Sequence, residues 1–150
     1  MFERRINYYE TDCLGIVHHS NYIRYMEEAR VVALDDIGLP YKKIEKAGVS
    51  IPVLGTKCEY KSPAKFDDII LIDAKMAEYT GTRMKMTYTM TNKVNGTILA
   101  IGETSHCFTD FNLKPISLKK AKPEMHEIFL SVVDGVSVGD GVFQTKKRIR

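Results

Sequence analysis

The chain has 150 residues, of which 44% are hydrophobic and 27% are charged, and its formal net charge is +3. This length and composition are those of one globular domain, and they exclude the disordered and fibrous classes. The mild charge argues against a nucleic-acid partner, and the lack of a long apolar stretch argues against a membrane-spanning protein.

The first predicted element is a short strand over residues 4–10, RRINYYE. A long helix of about seventeen residues follows, because apolar residues recur on one helical face. Ser20 or Asn21 can cap its start, and Gly38 followed by Pro40 ends it. The positions that define the apolar face are Tyr22, Met26, Ala29, Ala33 and Ile37.

Four further strands are predicted after the helix, within residues 50–62, 69–79, 82–91 and 97–111. The third of these alternates cleanly, with Met84, Met86, Tyr88 and Met90 on one face. Turns are predicted at 80–82 and at Asn95-Gly96. Beyond Pro115 the pattern indicates a weaker helix that is broken or started at Pro123.

One strand, one long helix and four antiparallel strands predict an α+β fold. The economical packing is a five-stranded, mainly antiparallel sheet that curls around the long helix. We expect residues 1–150 to form one domain. Its core is expected over about residues 1–111, followed by a C-terminal tail with a possible short helix.

Titratable residues are concentrated in the loop before the helix. Asp12 precedes His19 by seven positions, and His19 lies where the first free N–H groups of the helix are expected. Those N–H groups can stabilise an oxyanion, and a nearby carboxylate can attack a carbonyl or activate water. Gly15 allows the loop to turn tightly. An aspartate before a helix is also a common cap or turn former, so spacing alone leaves both interpretations of Asp12 open.

The segment YYETDCLGIVHHSNYIRYMEEAR, residues 8–30, resembles the N-terminal signature of hotdog-fold acyl-CoA thioesterases. The resemblance is to the 4-hydroxybenzoyl-CoA thioesterase and YbgC-like branch. The matching residues are Thr11-Asp12, Gly15, Ile16-Val17, His19, Asn21-Tyr22, Met26-Glu27 and Ala29-Arg30. The downstream segment YKSPAKFDDIILIDAKM is similar to the next part of the family pattern.

The resemblance implies that the protein hydrolyses acyl-CoA thioesters. It implies that Asp12 is the catalytic carboxylate, as nucleophile or general base, and that a backbone N–H near His19 holds the thioester oxygen. Gly15 and Tyr22 are the matching candidates for substrate binding. The candidates for binding the coenzyme A phosphates are Lys61, Lys65, Arg83 and Lys85, although a solvated strand face explains Arg83 and Lys85 equally well.

Other residues near the motif have competing interpretations. The side chain of His19 can bind the thioester or water, or His19 can supply only its backbone. Glu27 or Glu28 could replace Asp12 as the catalytic carboxylate, but Glu28 can also pair with Arg24 one helical turn away. Cys13 is interpreted as a small pocket residue, because an acyl-transfer cysteine usually needs an adjacent base.

We expect no metal and no cofactor apart from coenzyme A as part of the substrate. The three scattered cysteines favour a cytoplasmic location. The resemblance implies a homodimer or homotetramer formed by joining sheet edges. Alternatives left open are hydrolysis of acyl groups carried by acyl carrier protein, a hotdog dehydratase, and a binding module that does not cleave acyl-CoA.

Overall fold

The structure is a computed structural model that describes residues 1–133, and nine helices and strands are formed within that range. In chain order they are β1 (Phe2–Arg5), α1 (Ser20–Asp36), α2 (Tyr41–Lys46), β2 (Val53–Tyr60), β3 (Ile69–Tyr79), β4 (Arg83–Asn92), β5 (Ile98–Cys107), α3 (Leu118–Ala121) and α4 (Pro123–Val132). A short 3-10 turn at Tyr8–Glu10 precedes α1.

The strands form one five-stranded sheet in the order β1-β3-β4-β5-β2, and each neighbouring pair is antiparallel. The predicted inner face is confirmed, because Met84, Met86, Tyr88 and Met90 are all buried. The turn at Gly81 and the hairpin at Gly96 are also confirmed, and both glycines have positive φ angles that favour glycine.

Helix α1 packs on the inner face of this sheet, and its 17 residues confirm the predicted long helix. Tyr25, Met26 and Ala29 of α1 are fully buried in the same hydrophobic core as the inner-face residues. Met26 lies directly against Gly102 on β5, where an added Cβ would lie 2.0 Å from the Cε atom of Met26. The helix can lie this close to the sheet because residue 102 has no side chain. The expected hotdog architecture is therefore confirmed.

The hydrophobic core extends past residue 111, contrary to the expected limit. Leu118 of α3 and Met125, Phe129 and Val132 of α4 belong to the same core cluster. The hydroxyl of Tyr79, at the end of β3, also lies 2.8 Å from the Nδ1 atom of His126 on α4. The predicted helix after Pro115 is confirmed, and its break falls at Lys122, immediately before Pro123. The remainder of the predicted tail, residues 134–150, lies outside the described residues.

Two local predictions were wrong. The first strand spans residues 2–5 rather than 4–10, because the chain turns at Tyr8–Glu10 after pairing with β3. Neither Ser20 nor Asn21 caps α1; the cap position is His19, and no side chain there forms a cap hydrogen bond. Helix α2 has no counterpart in the predictions, because its six residues are too few to show a helical period.

Candidate active site

The loop before α1 is a tight hairpin held by its own backbone. Thr11 pairs with Val17, the N–H of Asp12 donates to the carbonyl of Ile16 at 2.9 Å, and the N–H of Gly15 donates to the carbonyl of Asp12 at 2.9 Å. Gly15 has a φ angle of +76°, a conformation that glycine adopts without strain. The predicted tight turn at Gly15 is therefore present.

Asp12 is a turn former, which is one of the two interpretations that the sequence left open, and its catalytic role stays a prediction. Its Oδ1 atom accepts the backbone N–H of Leu14 at 2.8 Å, which is the bond of an Asx turn. The same side chain is half-buried and lines an open cleft, so the turn holds the carboxylate at the cleft wall. One Oδ1 bond leaves most of the acceptor capacity of the carboxylate free for another partner.

The start of α1 leaves one backbone N–H available. The N–H of His18 donates to Glu10, the N–H of Asn21 donates to the carbonyl of His18, and the N–H of Ser20 donates to the Nδ1 atom of His18 at 3.2 Å. In residues 1–133 the N–H of His19 has no such partner. His19 is exposed and lines the same cleft as Asp12.

His18 has a definite structural contact in this arrangement. Its Nδ1 atom lies 2.8 Å from the hydroxyl of Ser20 and also accepts the N–H of that residue. The imidazole, which lies one residue before the cap position, therefore satisfies the N–H of the first residue of α1. The side chain of Asn21 instead donates to the carbonyl of Glu10 at 2.8 Å, which ties the helix start to the preceding turn.

The cleft itself has a volume of about 440 Å³ and contains three of the predicted site residues, Asp12, His19 and Tyr22. One wall comes from the loop before α1 and the other from the end of β2 and the loop after it. Its lining residues are Asp12, Leu14, Ile16, Val17, His19, Tyr22, Tyr60, Lys61, Ser62 and Pro63. The lining is mostly apolar with a few polar groups, as in many small-molecule sites.

Tyr60 is a site residue that the sequence did not reveal. Its hydroxyl donates to the backbone carbonyl of His19 at 3.1 Å, and its ring packs edge-on against Tyr22 with centroids 5.2 Å apart. Tyr22 is buried, and burial raises the pKa of its hydroxyl. The only sequence signal near Tyr60 is the end of a strand before Pro63.

A buried ion-pair network at Glu10 holds the chain segment that leads into the loop. Glu10 is only 4% exposed. Its Oε1 atom accepts one hydrogen bond from the Arg4 guanidinium at 2.6 Å and one from the Asn7 backbone N–H at 2.7 Å. Burial raises the pKa of Glu10, but the bonds from Arg4 and Asn7 outweigh it and hold that pKa below its ordinary value. Arg4 also pairs with Glu28, so the expected Glu28–Arg24 pair is replaced by a contact between residues 24 positions apart.

The structure does not bring Arg83 and Lys85 to this cleft. Arg83 pairs with Cys107, whereas Tyr60 at the cleft pairs with Ala100. Seven residues of β5 separate those two positions (107 − 100), which is roughly 23 Å of strand. On the outer face of the sheet, the Nζ atom of Lys85 lies 3.6 Å from the Oε1 atom of Glu78 and 3.7 Å from the Oε1 atom of Glu103.

The basic residue that the cleft does contain is Lys61, which pairs with Glu59 at 3.0 Å. Glu27 and Cys13 are both exposed and neither lines the cleft.

In residues 1–133, no group of three or more His, Cys, Asp or Glu residues could hold a metal ion. No helix in the same range is long and apolar enough to cross a membrane.

Comparison with known proteins identifies the family. Residues 6–131 match the model of the thioesterase-like superfamily. A putative esterase of Aquifex aeolicus is 38% identical over 120 residues, which cover 80% of this chain and 91% of that protein. A putative acyl-CoA thioesterase of Bacillus subtilis, YneP, is 30% identical over 127 residues, which cover 85% of this chain and 92% of that protein. The chain belongs to the thioesterase-like superfamily.

A solved structure agrees with this assignment. The DHNA-CoA thioesterase of Staphylococcus aureus superimposes with a TM-score of 0.83 at 27% identity, over 87% of this chain and 88% of that chain. The resemblance stated from residues 8–30 is confirmed, and the protein is an enzyme of the thioesterase class. The roles of individual residues stay predictions.

Proposed function

We propose that this protein hydrolyses acyl-CoA thioesters to a free carboxylic acid and coenzyme A, with Asp12 and the N–H of His19 as the reacting groups. The supporting observation is that Asp12 and His19 line one cleft and that the N–H of His19, at the helix start, has no partner within residues 1–133. A helix start has a partial positive charge, and its N–H groups stabilise negative charge that develops on a carbonyl oxygen.

Two routes use the same atoms. In the general-base route, Asp12 takes a proton from water as the water oxygen attacks the thioester carbon, and the oxygen charge develops at the His19 N–H. The tetrahedral intermediate then breaks its C–S bond, and the thiolate receives the proton from Asp12. In the nucleophilic route, the Asp12 carboxylate attacks the carbon and expels the thiolate, and water then hydrolyses the mixed anhydride.

The walls of the cleft suggest how a substrate lies. Leu14, Ile16 and the rings of Tyr22 and Tyr60 offer apolar surface to an acyl group. The ammonium group of Lys61 at the same cleft can attract a phosphate of coenzyme A. Gly15 contributes indirectly, because its turn holds Asp12 at the wall. The relatives named above support coenzyme A as the carrier.

We further propose that the protein works as a homodimer or homotetramer joined through β2. This strand is an edge of the sheet, and nearly all of its residues are exposed, including Val53, Leu54 and Tyr60. An exposed edge strand invites pairing with another strand, and pairing here would bring a second copy next to the cleft wall. Light scattering of the wild-type protein tests this proposal, and a monomeric mass would contradict it.

A thiol-release assay tests the proposed activity. The panel consists of aromatic, short-chain and long-chain acyl-CoAs, with the same acyl groups on acyl carrier protein as a second set. Release of coenzyme A with formation of the acid supports a thioesterase. Release from the carrier protein alone changes the proposed carrier. Binding without thiol release, or hydration of an enoyl thioester, would contradict the proposed reaction.

We also expect a cytoplasmic location, since all three cysteines are free.

A further inference from the structure

A second groove lies at the opposite end of α1 from the Asp12 cleft. It has a volume of about 480 Å³ and is formed by α2 on one side and by the junction of α3 and α4 on the other. Leu39, just beyond the end of α1, lines it, whereas His19 marks the start of that helix. A 17-residue helix is about 26 Å long, so the two sites are separate.

This groove has an apolar floor and a basic rim. Leu39, Ala47, Ala121, Met125 and Ile128 provide the floor. Lys43 and Lys122 also line the groove, and Glu124 is the one acidic residue of the lining.

Further lysines stand close by on the same short helices. These are Lys42 and Lys46 on α2 and Lys119 and Lys120 on α3. No ion pair joins any of these six lysines to an acid in residues 1–133. The one contact that holds Lys43 is a hydrogen bond of 3.4 Å to the carbonyl of Gly38, so its charge is not neutralised.

We propose that this groove is a second binding site, which takes a small amphiphile with an alkyl body and an anionic carboxylate head. The volume lies within the range of small-molecule sites, the floor matches an alkyl chain, and the unpaired lysines match a carboxylate. The proposal is independent of the chemistry at Asp12, which uses none of these residues.

The C-terminal segment of the chain is the other candidate occupant. The four basic residues of 134–150 all fall within 146–150, whereas residues 134–145 carry two aspartates and no basic residue. Charge does not decide between this segment and an anionic amphiphile, so the test includes both.

The test uses the full-length chain with ¹³C-labelled methionine and alanine methyl groups, with dodecanoate as the probe. Dodecanoate is expected to shift the methyl signals of Met125, Ala47 and Ala121. Dodecyltrimethylammonium, which has the same tail and the opposite charge, is expected to shift them much less. Lys43→Gln combined with Lys122→Gln should weaken dodecanoate binding about fivefold. The control, Lys75→Gln combined with Lys114→Gln, removes the same charge elsewhere and should bind like wild type.

Three results would overturn the proposal. The first is that dodecanoate leaves the three groove methyl signals unmoved, including the case in which it binds only at the Asp12 cleft. The second is that the cationic probe binds equally well. The third is that Phe143→Ala alone moves the Met125 signal without any ligand, since the chain's own segment would then fill the groove. Because no thioester is used, failure here leaves the proposed hydrolysis untouched.

Discussion

The hydroxyl of Tyr60, the last residue of β2, donates a hydrogen bond of 3.1 Å to the backbone carbonyl of His19. This bond joins the exposed edge strand of the sheet to the start of α1. His19 is also the residue whose N–H is unpaired within residues 1–133. The strand end therefore fixes the position of the group that we propose to hold the thioester oxygen.

Removal of this hydroxyl tests whether it positions the helix start. Tyr60→Phe keeps the ring contact with Tyr22 but loses the bond to His19. One neutral hydrogen bond contributes about 1 kcal/mol, so kcat should fall about fivefold while KM changes little. Tyr8→Phe is the control, because Tyr8 is 76% exposed and does not line the cleft. An unchanged kcat in Tyr60→Phe would show that the bond has no role in the reaction.

The close packing of Met26 on Gly102 predicts a sensitive position in the core. In Gly102→Ala the added methyl would lie 2.0 Å from the Met26 Cε atom, so the helix or the Met26 side chain must move. We expect a loss of about 1–3 kcal/mol in the free energy of unfolding, measured in urea. Gly55→Ala is the control, since its Cβ would meet only the Ser105 hydroxyl, at 3.3 Å. Equal stability of the two variants would contradict this packing.

The buried glutamate beneath the loop predicts a large effect on stability from a small chemical change. Glu10→Gln removes the charge that neutralises Arg4, and the loss should reach about 3 kcal/mol because Glu10 is buried. Glu3→Gln breaks an exposed pair with Lys93 and should cost well under about 1 kcal/mol. Urea unfolding of both variants measures the difference, and a similar small cost for each would contradict the network.

The buried imidazole of His106 leads us to expect that the free energy of unfolding depends on pH. It is fully buried, and its Nε2 atom lies 2.8 Å from the Thr104 hydroxyl. Burial and the nearby Arg30 charge lower the pKa of His106 from 6.5 to about 4. The unfolded chain therefore binds a proton below pH 6.5 that the folded chain does not bind. The stability from this group is complete above pH 6.5 and is lost as the pH falls towards 4.

We expect wild type to lose about 3 kcal/mol more than His106→Gln when the pH falls from 7.5 to 4. The measurement is urea unfolding at a series of pH values. Comparison with His106→Gln removes the contribution of the carboxylates, which titrate in both proteins. Parallel pH curves for the two proteins would contradict the lowered pKa.

The sequence predicted the elements whose pattern is local. The alternation of residues 84–90 revealed β4, and the recurring apolar residues from Tyr22 to Ile37 revealed α1, because a buried face imposes its period on the chain. The cluster of Asp12, Gly15 and His19 was also visible, since a turn and a helix start need particular residues close together.

Contacts between distant residues could not be predicted in this way. The Arg4–Glu28 pair spans 24 positions and the Tyr60–His19 bond spans 41. Each depends on how sheet and helix come together, and no local period encodes that. For the same reason Arg83 and Lys85 looked plausible as phosphate ligands, although the register of β4 against β5 places them far along the sheet from the cleft.

Thiol release by Asp12→Asn tests most directly whether the Asp12 carboxylate performs the chemistry. Asparagine can still accept the Leu14 N–H, so the turn is kept while the negative charge is lost. Asp110→Asn is the matched control, because Asp110 accepts the Asn112 N–H in a similar turn outside the cleft. With the most active acyl-CoA, we predict that Asp12→Asn lowers kcat at least about 100-fold and that Asp110→Asn leaves it near wild type. A folded Asp12→Asn protein with wild-type kcat would contradict the account and move the search to another carboxylate.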